Sequence, residues 1–239
     1  MGLAKPIVAQ GKKLLMRAAL TLAMQTRSIR ALGVREVGRE AGLNPNTFYR
    51  HFSNMDDLGI AILESIVEDL RPQMRDLRSR AAQSVASRSS VSGQFNDPQT
   101  LGLKQLELVV IETVREFFDF VERHPEAFIL GISELHGASP PLREALGKVI
   151  DQFATDMSED IRRLRLLPMI SDKTADDISS LIIRQMFFLS AEYIEHPTRR
   201  SAIREQARLG MMCLATGALA LECRNVVALA QSLGGLRDN

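Results

Sequence analysis

Within two helical turns the run 46–51 sets Asn46, Thr47, Tyr49, Arg50 and His51 side by side. These side chains offer amide and hydroxyl donors, a fixed cation and an aromatic ring. Such a set works only if a short helix carries it. Residues 34–41 are predicted as one short helix, closed by Gly42, which can take the left-handed conformation that ends a helix. Asn44 suits the N-cap and Pro45 the first position of a second helix, predicted over 45–52. Val37 and Ala41 should face that second helix, Leu43 should plug the miniature core, and Phe48 and Phe52 should pack inward. The layout is a helix-turn-helix, whose second N-terminus presents free N–H groups to a phosphate.

Other chemistry is thinly represented. The chain has no G-x-S-x-G, G-x-G-x-x-G, G-x-x-x-x-G-K-[ST] or H-E-x-x-H. The histidines His51, His124, His136 and His196 include no pair four apart. Glu134 and His136 could join a metal site only with distant partners, and residues at a helix end are the plainer reading. Cys213 and Cys223 fall in one predicted helix, about 15 Å apart along its axis and too far for a disulfide. They are expected to be small buried apolar residues. We therefore expect neither enzymatic activity, nor a metal, nor a cofactor other than a small-molecule effector.

The net charge of +1 hides an asymmetry. Residues 1–52 hold nine Lys and Arg against two acids, and the other 187 residues hold 21 bases against 27 acids. A basic N-terminal fifth on an acidic body fits a nucleic-acid surface, although a basic helix touching nothing has the same composition. The longest apolar run, 209–221, falls short of the roughly 18 residues of a membrane span. No leader peptide is apparent and a cytoplasmic protein is expected. Apolar residues recur at helical spacing almost throughout: 7–24, 56–82 with Pro72 expected to kink or break it, 101–123, 126–135, 141–166, 174–195 and 198–229. The fold class is all-α. Residues 1–55 are predicted as a DNA-binding domain and 56–239 as a ligand-binding and dimerisation domain. The Ser-, Gly- and Asn-rich stretch 84–100 reads as a mobile loop.

The run V-x-x-x-A-G-L-x-x-x-T-F-Y-R-H-F at 37–52 resembles the DNA-binding segment of the TetR family of transcriptional regulators. The resemblance implies a TetR-like architecture, a homodimer on a palindromic operator, and an effector-controlled repressor. Carried over by motif, Asn46, Thr47 and Arg50 would read bases. Tyr49 and His51 would hold phosphates, with Arg35 and Asn44 beside them. The family often has Lys just after the His-Phe pair, and Met55 stands there instead. The pattern from Leu32 to Phe52, followed by D-x-L-G, is similar to the family's fatty-acid-biosynthesis repressors, the FabR and DesT group. His124–Phe128, Glu134, Gly137 and Ser139 extend that similarity. It implies sensing of long-chain acyl thioesters such as acyl-CoA.

An acyl chain needs an apolar tunnel with a polar mouth. Phe117, Phe118, Phe128, Met186 and Phe187 are the pocket candidates, with Arg115, Arg123, Arg143 and Arg184 as mouth cations. Aromatics at helical spacing equally build a core. For the dimer interface the candidates are Leu181 on one stripe and Met212, Ala215 and Leu219 on another, which would form a four-helix bundle across a two-fold axis. Two other readings stay open. One is the same kind of regulator sensing another small hydrophobe for an efflux or catabolic operon. The other is a helical enzyme or scaffold that binds no DNA.

Overall fold

The structure is a computed structural model that describes residues 4–89, 98–167 and 170–234. Eight α-helices follow one another in the order α1 Ala4–Thr26, α2 Val34–Glu40, α3 Met55–Ser89, α4 Pro98–Arg123, α5 Pro125–Leu135, α6 Pro140–Arg163, α7 Asp172–Glu195 and α8 Arg200–Gly234. Short 3-10 helices at Pro45–Arg50 and Pro197–Arg199 precede α3 and α8. Among the described residues there is no strand. The all-α expectation holds.

Four local expectations change. The second helix of the helix-turn-helix is a 3-10 helix, tightened by Thr47 N–H to Asn44 O (2.8 Å) and His51 N–H to Phe48 O (2.9 Å). Pro72 neither breaks nor ends α3, which runs through it for 35 residues. What Pro72 removes is one donor, toward the Glu68 carbonyl. Of the stretch 84–100 expected as a loop, 84–89 belong to α3 and 98–100 to α4. Residues 90–97 lie outside the described residues. Cys213, expected in the core, is exposed.

The chain forms two compact units, Met1–Arg71 with Val121–Val149, and Pro72–Phe120 with Ile150–Asn239. In the first, α1 buries Leu15, Ala18, Ala19 and Ala23, an i, i+3, i+4, i+8 stripe that makes this helix one-sided. It packs on α2 and on α5. Leu58, Ile62, Leu63, Phe128, Leu130, Leu142 and Leu146 fill the rest of this core. Burial of each such side chain is worth about 1.5–3 kcal/mol.

In the second unit α7 lies along α8. The two approach so closely that a Cβ on Gly210 would strike the Gln185 amide. Ser171 caps α7, accepting the Thr174 N–H at 3.2 Å, and Glu222 of α8 accepts from Ser171 N–H (3.2 Å), Ser171 Oγ (2.7 Å) and Thr174 Oγ1. Those bonds hold the Glu222 carboxyl below the usual glutamate range, the Thr174 hydroxyl foremost. Arg78 is buried on α3 with Nε donating to Asp160 Oδ2 at 2.7 Å. Burial pushes its guanidinium below the ordinary arginine value despite that partner. The Tyr193 ring stacks on Phe118, centroids 4.3 Å apart. Its hydroxyl accepts from Arg204 Nη2 at 2.7 Å.

Candidate nucleic-acid interface

The turn after α2 is a Schellman motif: Leu43 N–H donates to Gly38 O (2.9 Å) and Gly42 N–H to Arg39 O (3.0 Å). Gly42 sits at φ +65, the left-handed region that a Cβ disfavours. Asn44 then caps the 3-10 helix, its Oδ1 accepting the Asn46 N–H at 2.9 Å. Pro45 fills the first helical position. The close approach that fixes the two helices is at Gly38, where a Cβ would lie 3.1 Å from Pro45 Cα. Ala41, assigned that role from the sequence, is only half-buried, whereas Val37 is fully buried.

Phe48 and Phe52 pack inward with their rings 5.6 Å apart, both buried. Their burial turns the rest of the 3-10 helix outward. Tyr49 is 66% exposed with its ring edge-on to Phe48 at 5.5 Å. Asn44, Asn46 and Arg50 are exposed, Thr47 is half-buried, and Arg35 is exposed one residue into α2. Arg35, Asn46, Tyr49 and Arg50 therefore have side chains that reach outward, Thr47 does so in part, and Asn44 is engaged in its cap. His51 differs. Its imidazole lies over α1, with Nε2 3.0 Å from where a Cβ on Gly11 would stand. Lys12 on the same helix places its ammonium 5.8 Å from the Phe52 ring centroid.

The start of α3, where Met55 replaces the family's Lys, is closed by a reciprocal cap. Asn54 Oδ1 accepts the Asp57 N–H (2.9 Å) and Asp57 Oδ2 accepts the Ser53 N–H (3.0 Å). The Ser53 and Asp57 N–H groups are thus engaged, and Asp56 and Asp57 put negative charge in the same turn.

The remaining candidates are distributed as follows. Phe117, Phe118 and Met186 are buried and Phe187 half-buried in the second unit, while Phe128 is buried in the first. Phe117 meets Phe118 edge-on at 5.2 Å. Arg115 pairs with Glu112 and Glu116, Arg184 with Asp151 at 2.8 Å, and Arg143 donates to the Gly137 carbonyl. The apolar stripe drawn along α7 divides: Ile178, Ile182, Met186 and Leu189 are core within the chain, and Leu181 and Phe188 are exposed at 54% and 56%. On α8, Ala215 is buried, Met212 and Leu219 are half-buried, and Leu209 and Leu221 are exposed. Glu134 is buried too, and its Oε1 accepts the Ile29 N–H at 2.7 Å. Among the described residues no cluster of three or more metal-ligating side chains forms. No described helix is long and apolar enough to cross a membrane.

Residues 15–62 match the family described as bacterial regulatory proteins, tetR family. That span contains the helix-turn-helix and its supports. With it, this N-terminal part of the chain is a DNA-binding domain of the tetR-family type. The fold agrees. A protein of Syntrophomonas wolfei described as a TetR-family transcriptional regulator is similar at a TM-score of 0.58 and 15% identity, over 87% of this chain and 96% of that one. A transcriptional regulator from Rhodococcus sp. Rha1 is similar at 0.56 and 16%, over 87% and 97%. The regulator FadR from Bacillus subtilis, in complex with stearoyl-CoA, is similar at 0.51 and 13%, over 86% and 98%.

Proposed function

We propose that the chain is an effector-responsive repressor that binds a palindromic operator as a homodimer in the cytoplasm. Its effector is a long-chain acyl thioester and its targets are fatty-acid and lipid genes. The observation that carries the DNA part is the outward row of Asn46, Tyr49 and Arg50, on a 3-10 helix pinned by buried Phe48 and Phe52. Asn46, Thr47 and Arg50 read bases; Tyr49 and Arg35 hold phosphates, which position the protein without carrying sequence information. His51, packed over Gly11, orients the aromatic turn as well as facing the backbone.

The acyl reading is supported by the FabR and DesT pattern at 32–59 and 124–139, and by the stearoyl-CoA bound to the distantly similar FadR. Phe117, Phe118, Met186 and Phe187 supply the apolar surface it needs in the second unit. The dimer is supported by exposed Leu181 and Phe188, seven residues apart and so on one face of α7. A dimer of helix-turn-helices spans half-sites about 34–36 Å apart.

An effector acts only through its unequal affinity for the DNA-competent and DNA-incompetent states. The test is to load the chain on its operator and add stearoyl-CoA, oleoyl-CoA or free CoA. Operator affinity should change at least fivefold with an acyl-CoA and not with CoA, about 1 kcal/mol of coupling. Equal affinity under all three conditions discards the lipid and leaves a regulator of another small hydrophobe.

A further inference from the structure

The connection between α1 and α2 is held from two sides by the α5–α6 hairpin, all within the first unit. On one side the Ile29 N–H donates to Glu134 Oε1 at 2.7 Å, and both residues have no exposed surface. On the other, Ser139 Oγ donates to Asp56 Oδ1 at 2.7 Å while accepting the Leu142 N–H at 3.3 Å. Asp56 Oδ2 in turn accepts from Arg30 Nη1 at 3.3 Å. Neighbouring residues Ile29 and Arg30 are therefore tied to α5 and, through the first turn of α3, to α6. Two residues upstream, Arg27 sits at φ 55. A side chain in that region costs on the order of 1 kcal/mol and persists where the surroundings fix it.

Glu134 is a costly way to hold one amide. Its second oxygen, Oε2, is buried without a hydrogen-bond partner, and a buried carboxylate with one donor is unfavourable for folding. An amide or hydroxyl would cap Ile29 with less desolvation. What the side chain gives is a short bond from its Oε1 to a single buried backbone N–H in the connection between α1 and α2.

We propose that Glu134 is a positioning residue for operator recognition. By fixing Ile29, with Ser139 fixing Asp56 and Arg30, it sets the orientation of α2 and the Pro45–Arg50 helix from outside the residues 15–62 that define the DNA-binding domain. The α5–α6 hairpin is then part of the DNA-reading apparatus although it carries no DNA-contacting residue. The inference rests on the DNA-binding reading of 15–62, and the test separates the two.

A duplex selected from a random library by the wild-type full-length chain is the operator probe, and a scrambled duplex is the non-specific probe. Glu134→Ala should lose at least tenfold in operator affinity, keep its scrambled-duplex affinity and helical content, and lose exchange protection at the Ile29 amide. Glu134→Gln keeps a carbonyl oxygen for Ile29 and should stay within about threefold of wild type for the operator. Gly137→Ala keeps the carboxylate but places a Cβ 2.8 Å from Oε2, and should move in the same direction as Glu134→Ala. That variant decides the matter if Glu134→Ala does not fold. Wild-type operator affinity and specificity in the folded variants overturn the inference, as does an equal loss on both duplexes. A wild-type chain that selects no duplex overturns the functional reading instead.

Discussion

Tyr49 and Arg50 differ in what they should do to DNA, and the difference is measurable. Tyr49 stands out from the 3-10 helix with its ring edge against Phe48, a stiff mount for a hydroxyl aimed at a phosphate. Removing that hydroxyl (Tyr49→Phe) should weaken operator and scrambled duplex alike. Arg50→Ala should cost about 1–3 kcal/mol on the operator and relax preference at one base pair. Titrations at several salt concentrations on both duplexes check the pair; loss of sequence preference in Tyr49→Phe would reverse the assignment. The outward placement of Tyr49 and Arg50 was legible in the sequence because everything that sets it lies within about 20 residues: the Gly42 turn, the Asn44 cap and the two inward phenylalanines. Glu134 was legible as a motif position but not as a hydrogen-bond acceptor, since its partner is 105 residues away. Gly38 was overlooked for the opposite reason. A glycine inside a short helix reads as a weak point until Pro45 is seen packed on it.

At the scale of elements, helical spacing located every long helix, and the shifts came at the ends. The α7 N-terminus shows why. The predicted start at 174 missed Ser171, which is the N-cap, reinforced by Glu222, 51 residues further on. The carboxyl of Glu222 is held below its ordinary value. A depressed folded-state pKa contributes stability above the unfolded carboxylate range, and that contribution is lost as pH falls through the folded value. Glu222→Gln should therefore lower the unfolding temperature at pH 7. The difference from wild type should shrink as pH drops below about 4.5. Thermal unfolding followed by circular dichroism across that range checks it, and a gap that widens in acid would contradict the capping role. Pro72 does not break the helix for a related reason: its ring removes one bond from a 35-residue helix whose neighbouring turns Val67, Leu70, Met74 and Leu77 are buried. Packing on both sides outweighs a local cost of about 3 kcal/mol.

At the scale of the whole molecule, one periodicity serves two purposes, which is why the dimer face could not be read directly. Ile178, Ile182, Met186 and Leu189 have the spacing of an interface and are the chain's own core. Only exposure separates Leu181 and Phe188 from them. Replacing both with Glu should shift the chain from dimer to monomer in sedimentation while leaving helical content intact. It should also reduce operator affinity by more than tenfold, because one half-site offers too few contacts. An unchanged dimer would move the interface elsewhere. The charge division has the same character. The +7 of residues 1–52 is plain in the sequence, whereas the capped, acidic start of α3 just beyond it shows only in the structure.

The central claim is sequence-specific DNA binding through the outward face of the Pro45–Arg50 helix. Fluorescence anisotropy with labelled DNA from upstream of the protein's own gene, against a scrambled duplex at the same salt, tests it most directly. The account predicts saturable binding at two chains per duplex, at least a thousandfold tighter than to the scramble, weakening steeply as salt rises and abolished by Tyr49→Phe with Arg50→Ala. Equal, weak binding to both duplexes, unchanged by that double substitution, would contradict it.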